Sequence, residues 1–288
     1  MTDFSSAEIR LETAKDPAGM LSLAGHAGWN QTLSDCAVVT GSENSLAVYA
    51  FCGERLAGCA GCFLFGDHDL CHINMVVTHA DFRRRGIAKR MVSFLMEKAA
   101  CRTCRLYATQ AGGLVYAKLG FVPLLGQKKY FAASSDFPAA EKLPSGVSPV
   151  GEGDLPELFD LDEAVFGFRR EKIMRYLFSS RRELAFCHRN EAGKMDAFTL
   201  GRIGPAARNI MCSALDPAAG RELFFFSCTL KTPAEKLQTM IYDNNGTFRS
   251  ELLKHGFAEG TAMNLMDRGE ALALPSPGCF GIAGGEFG

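Results

Sequence analysis

Within residues 73–100, "INMVVTHADFRRRGIAKRMVSFLMEKAA", the hydrophobic period changes once, and that change limits the folds open to the chain. Up to Val77 the side chains alternate, with Cys71, Ile73, Met75 and Val77 set against His72, Asn74 and Val76, which is the period of a strand. From Gly86 onward Ile87, Met91 and Leu95, with Ala88, Val92, Met96 and Ala99, recur at helical spacing; Lys89, Arg90, Ser93, Glu97 and Lys98 fall on the other face. A strand, a polar turn and an amphipathic helix of about four turns are therefore expected in immediate succession.

The flanking segments extend this order. "AEIRLETA" reads as an opening strand, and "PAGMLSLAGHAGWNQTLSDCAVV" as helical material broken at Gly28. "SLAVYAFCG" and "RLAGCAGCFLFG" form a hairpin pair. "CRLYATQ" is a further strand, "GGLVYAKLG" a short helix ended by Gly120, and "FVPLLGQKKYFAA" a closing hairpin. The fold class is α+β, a mainly antiparallel sheet with flanking helices. At 288 residues the chain has room for two domains of roughly 150 residues each. The Pro- and Ser-rich "SSDFPAAEKLPSGVSP" separates a first domain, 1–137, from a second, 146–288.

The second domain echoes the first. "AKLGFV" around Gly120 and "LKHGFA" around Gly256 stand 136 positions apart, and the same offset lays "INMVV" beside "NIMCS" at 209–213. Asp216 and Pro217, an N-cap and first-turn pair, then open the helix that parallels the one after Gly86. A duplicated fold is expected.

Composition narrows the function. Thirty-one Lys+Arg against 32 Asp+Glu give a net charge of −1, so no global field favours nucleic acid or an anionic membrane. "FRRRGIAKR" has no aromatic platform beside it to stack bases. No run approaches the ~20 apolar residues of a membrane span, and "MTDFSSAEIR" lacks the pattern of a secretory signal, so a cytoplasmic protein is expected. Eleven cysteines, an odd number lying mostly in apolar runs, read as reduced core thiols. Cys59-x-x-Cys62 and Cys101-x-x-Cys104 lie farther apart than the ~15–20 residues of zinc ribbons, and no metal is expected. Neither G-x-S-x-G nor H-E-x-x-H occurs.

The arginine turn carries the chemistry. A helix N-terminus leaves about four N–H groups unpaired and carries roughly +0.5 of a charge. Gly86 and Ala88 allow an anion close to that backbone, and Arg83, Arg84 and Arg85 surround it with charge. Two linked phosphates suit so compact a concavity better than a long polyanion.

Arg83-x-x-Gly86-x-Ala88 resembles the pyrophosphate loop of the GNAT superfamily of acyl-CoA-dependent N-acyltransferases, and "YAKLGFV" at 116–122 resembles that superfamily's closing segment. "AGWNQTLSD", "YATQAGGLVYAKLGF" and "LDEAVFGFRR" are similar to a bacterial group with two GNAT-like domains in tandem, the second a diverged copy. The resemblance implies acetyl-CoA or another acyl-CoA as co-substrate. Backbone groups of Met75, Val76 and Val77 would hold pantetheine, and amides from Arg84 through Ile87 to Ala88 the pyrophosphate. Tyr116 would give a proton to the departing thiolate. His72 is the candidate for the base that takes the amine proton, and Trp29, Asn30 and Asp35 are candidates for the acceptor pocket. Tyr107 stands where the resemblance leads one to expect an acidic residue. Leu252 occupies the place of Tyr116 in the second domain, which also lacks the arginine turn, so that domain is expected to be structural or acceptor-shaping. The expected partner is a small-molecule amine, and the chain a monomer or homodimer. The alternative is a non-catalytic acyl-CoA sensor or assembly module.

Overall fold

A computed structural model describes residues 9–287. The first repeat comprises β1 (Ile9–Thr13), α1 (Pro17–His26), α2 (Leu33–Gly41), β2 (Ser45–Cys52), β3 (Arg55–Phe65), β4 (Leu70–Thr78), α3 (Ile87–Ala99), β5 (Thr103–Thr109), α4 (Gln110–Ala117) and β6 (Val122–Ala133). The second has the same order: β7 (Val147–Pro149), α5 (Leu155–Phe166), α6 (Glu171–Ser180), β8 (Phe186–Arg189), β9 (Met195–Ile203), β10 (Arg208–Ala214), α7 (Pro217–Thr229), β11 (Lys236–Tyr242), α8 (Gly246–Lys254) and β12 (Ala258–Gly269). A last short strand, β13 (Cys279–Gly281), follows. Among the described residues no helix is long and apolar enough to cross a membrane.

The chain divides into two compact units, and the division is not a single cut. One unit is the chain up to Leu124 together with Leu265–Ala271; the other is Leu125–Asn264 with the residues from Leu272 on. "FVPLLGQKKYFAA" is thus not a hairpin but one strand of 12 residues, β6. It finds its antiparallel partner in β11, with Gln127 opposite Tyr242 and Ala133 opposite Lys236, so no turn is needed within it. β12 begins 136 residues later, is equally long, and its last residues pair with β5 in the first unit. β6 from Leu125 on lies in the second unit, and β12 from Leu265 on lies in the first.

In the first unit the strands run in the order β1-β2-β3-β4-β5-β12; β1 to β4 pair antiparallel in sequence, and β4 and β5 are parallel. Its core is filled by Cys62, Cys71, Ile73 and Leu106 from the strands, Met91, Val92 and Leu95 from α3, Tyr116 from α4, and Met266 from β12. The periodic face read from Ile87, Met91 and Leu95 is indeed the buried one, because α3 lays it on the sheet. In the second unit the order is β6-β11-β10-β9-β8-β7, and Phe224, Phe248, Phe257 and Phe280 lie in its core. Among the described residues the eleven cysteines form no disulfide, and all but Cys101 are buried.

A buried ion pair fastens β12 to β5. Arg105 Nε and Nη2 donate to the Asp267 carboxylate, both at 2.8 Å, with the side chains 1% and 6% exposed.

Candidate active site

The site is built where β4 and β5 part. Their parallel ladder runs from Leu70 opposite Thr103 to Ile73 opposite Leu106 and stops there. At the same level β4 carries a bulge: Gly61 faces Asn74 and Cys59 faces Val77, so three steps on β4 match two on β3. Met75, inside the bulge, has φ +50°. The extra residue breaks the strict alternation expected for this strand. Val76, not Met75 or Val77, packs on the face of Cys71 and Ile73. Beyond Ile73 and Leu106 the two strands no longer pair, and the bulge lies on that unpaired stretch of β4.

β4 leads directly into the arginine turn. Arg84 and Gly86 both have positive φ, +65° and +74°, and Gly86 is the residue preceding α3. Helices α1, α2, α4 and α7 are capped by the side chains of Asp16, Thr32, Thr109 and Asp216. Among the described residues α3 has no side-chain cap and no acid in its first turn. A β-carbon added at Gly86 would meet nothing within 4 Å. The turn is fixed by the packing of Phe82, which is buried, with the Arg55 guanidinium 4.8 Å and that of Arg85 5.6 Å from its ring centre. The arrangement is an anion cradle: open amides, a positive dipole end and adjacent guanidinium groups.

The candidate side chains fall into distinct surroundings. Tyr116 lies in the core shared by Ile73, Leu106 and Ala108, its ring 6.1 Å from that of Phe121. Burial pushes its phenol up to about 12. His72 is fully buried, opposite Phe63 on one side and Arg105 on the other, with its ring 5.6 Å from that of Tyr107. The loop between α1 and α2 holds Asn30 and Gln31 buried, while Trp29 is 36% exposed. Asp35, a pocket candidate from sequence, forms a capping box. Its carboxylate accepts from the Thr32 amide at 2.7 Å and from the Thr32 hydroxyl at 2.8 Å, while its own amide donates to that hydroxyl. The spacing Thr32-x-x-Asp35 carried that signal. Sequence reasoning missed the bulge, for which no residue type is diagnostic, and Asp267 as partner of Arg105, for which two lone charges in apolar strands were the only hint.

The family model described as "Acetyltransferase (GNAT) family" matches residues 17–121, from the start of α1 to the residue before β6, and these residues form a GNAT domain. An uncharacterized N-acetyltransferase of Bacillus subtilis (strain 168), YitH, is 29% identical over 190 residues, 66% of this chain and 66% of that relative. In fold the chain is similar to a candidate acetyltransferase from Pyrococcus horikoshii, with 17% identity, a TM-score of 0.77, and 97% and 96% of the two chains covered. It is also similar to a tandem GNAT protein from the clavulanic acid biosynthesis pathway, with 12% identity, a TM-score of 0.66, and 92% and 100% covered.

Proposed function

We propose that the chain is an N-acetyltransferase that moves the acetyl group of acetyl-CoA to a primary amine of a small molecule by direct attack. The observation that carries this reading is the start of α3 without a side-chain cap, directly after the stretch of β4 that no longer pairs with β5. Amides of residues 84–88 take the pyrophosphate, and Arg83, Arg84 and Arg85 screen its charge. The pantetheine arm enters the gap and pairs with backbone at Met75, Val76 and Val77. The neutral amine attacks the thioester carbonyl, a strand N–H stabilises the oxyanion, and the C–S bond breaks as the amide forms.

Tyr116 meets the sulfur as the charge develops. A phenol near 12 is a weaker acid than a thiol of ~8.5 in water, so in water the proton would stay on oxygen. The gap lowers that difference, because burial raises thiols too: Cys59, on the neighbouring strand, is pushed well above its usual value chiefly by desolvation. Tyr116 therefore acts as a strong hydrogen-bond donor that completes the transfer only as the thiolate is desolvated. The amine proton goes to His72 when the acceptor reaches the Tyr107 side of β4. His72→Gln is expected to lower kcat/KM, and an unchanged kcat/KM removes His72 from the mechanism.

The second unit takes no part in the chemistry. Leu252 stands where Tyr116 stands, and Asp216 and Pro217 replace the glycine turn. The test of the whole reading is release of free thiol when the protein is mixed with acetyl-CoA and a panel of polyamines, amino acids and amino sugars. Acetyl-CoA binding without thiol release on any amine would favour the sensor reading.

A further inference from the structure

In the second unit the parallel pair β10 and β11 parts as β4 and β5 do. Their ladder ends at Asn209 opposite Gln238, and Asn209 lies 136 positions after Ile73, the last paired residue of β4. Here the gap is not open. β13 runs antiparallel to β10, with Cys212 opposite Gly281 and Ser213 opposite Cys279. The strap is held from both sides. Ile282 N donates to Met240 O of β11 at 3.3 Å, and Asn209 Nδ2 donates to Ala283 O at 2.6 Å. Gly281 is needed for this close approach, because a β-carbon there would meet Ile210 O at 2.8 Å and strike Thr239 Oγ1 as well.

The helix start is filled as well. Where α3 leaves its first amides without a side-chain cap, the Asp216 carboxylate accepts from Ala218 N at 2.9 Å and Ala219 N at 2.8 Å. Phe280, buried, lies against Gly220 in the same first turn.

We infer that the second unit is a self-liganded copy: the extended segment 279–283 occupies its gap as pantetheine occupies the gap of the first unit, and the Asp216 carboxylate sits where a phosphate would. This rests on the reading of the first gap as the acyl-CoA site. Peptide amides and carbonyls offer the same hydrogen bonds to a parted strand pair as pantetheine amides do, and a carboxylate satisfies a helix N-terminus as a phosphate does. The consequence is exclusion: acyl-CoA added to the protein finds one open gap, and the strap does not yield to it.

The test is amide hydrogen exchange on the full chain, alone and with saturating acetyl-CoA, together with calorimetric stoichiometry. The amide of Ile282 is expected to exchange at least ~100-fold more slowly than an unstructured peptide, unaltered by acetyl-CoA, at a stoichiometry of one. Free exchange at 279–283, faster exchange there once acetyl-CoA is added, or a stoichiometry of two overturns the inference. Failure of the acyl-CoA reading has a different signature: residues 83–88 gain no protection from acetyl-CoA while the strap stays protected.

Discussion

Removing the Asp267 carboxylate should cost the first unit a large share of its stability. The carboxylate receives two hydrogen bonds of 2.8 Å from a guanidinium that is 1% exposed. Each such bond to a charged group is worth ~1.5–3 kcal/mol. Leaving one partner of a buried pair without its counter-charge costs ~3–5 kcal/mol, against ~5–15 kcal/mol for a whole domain. Asp267→Ala is therefore expected to lose ~3–5 kcal/mol, and Asp267→Asn less because an acceptor remains. Replacing both, Arg105→Met with Asp267→Leu, should recover most of the loss, since the desolvation cost of the pair disappears with it. The single tryptophan, Trp29, lies in the first unit and is 36% exposed, so urea unfolding followed by its fluorescence reports on that unit. A loss under ~1 kcal/mol for Asp267→Ala, or a double variant no more stable than the single, would refute the argument.

Gly86→Asp is expected to abolish acetyl-CoA binding, because it sets a charge against the phosphates. The φ of +74° adds only ~1–2 kcal/mol of strain, and Gly86→Asn, with the same strain and no charge, separates the two effects in calorimetric titration. Tyr116→Phe should lower kcat roughly 10²-fold while affinity for acetyl-CoA changes only a few-fold; a wild-type kcat under rate-limiting chemistry would remove the phenol from the mechanism. The same phenol gives a pH signature. Its folded value, about 12, lies above the ordinary ~10, so its contribution is fully present below pH ~10 and lost as pH rises towards 12, on the order of 3 kcal/mol. Tyr116→Phe should therefore lose less stability than wild type between pH 10 and 12, and equal losses would contradict the burial of that hydroxyl. A fragment of residues 1–137 should show no cooperative unfolding transition, because it lacks the strand that β5 pairs with; a sharp transition by Trp29 fluorescence would count against the division of the chain described above.

Much of this arrangement was legible because its signals are local. The period change at Gly86, the capping pair Asp216 and Pro217, and the glycines that end α4 and α8 each act within a turn or two of chain. Gly120 and Gly256 have φ of +86° and +85°, the conformation for which glycine is chosen. The glycine turn that follows the three arginines was legible for the same reason. What sequence did not carry is long-range. Nothing in "FVPLLGQKKYFAA" says whether its partner is the next segment or one about a hundred residues on, since both pairings satisfy the same alternation. The bulge in β4 follows from how three strands meet, not from Met75 or Val76. Asp35 illustrates the converse: its capping motif, Thr32-x-x-Asp35, was in plain view, and the structure forms it.

The exchange of β6 and β12 also sets a timetable for synthesis. The first unit cannot close when its own repeat has left the ribosome; it waits for Leu265–Ala271. At ~5–20 residues per second the wait is roughly 7–30 seconds, during which β5 offers an unpaired edge and the Asp267 partner of Arg105 is not yet made. A nascent chain of this kind depends on delay being harmless, through chaperone cover or a slow-to-aggregate edge. Gene fission between the repeats would leave each product waiting for a strand encoded elsewhere.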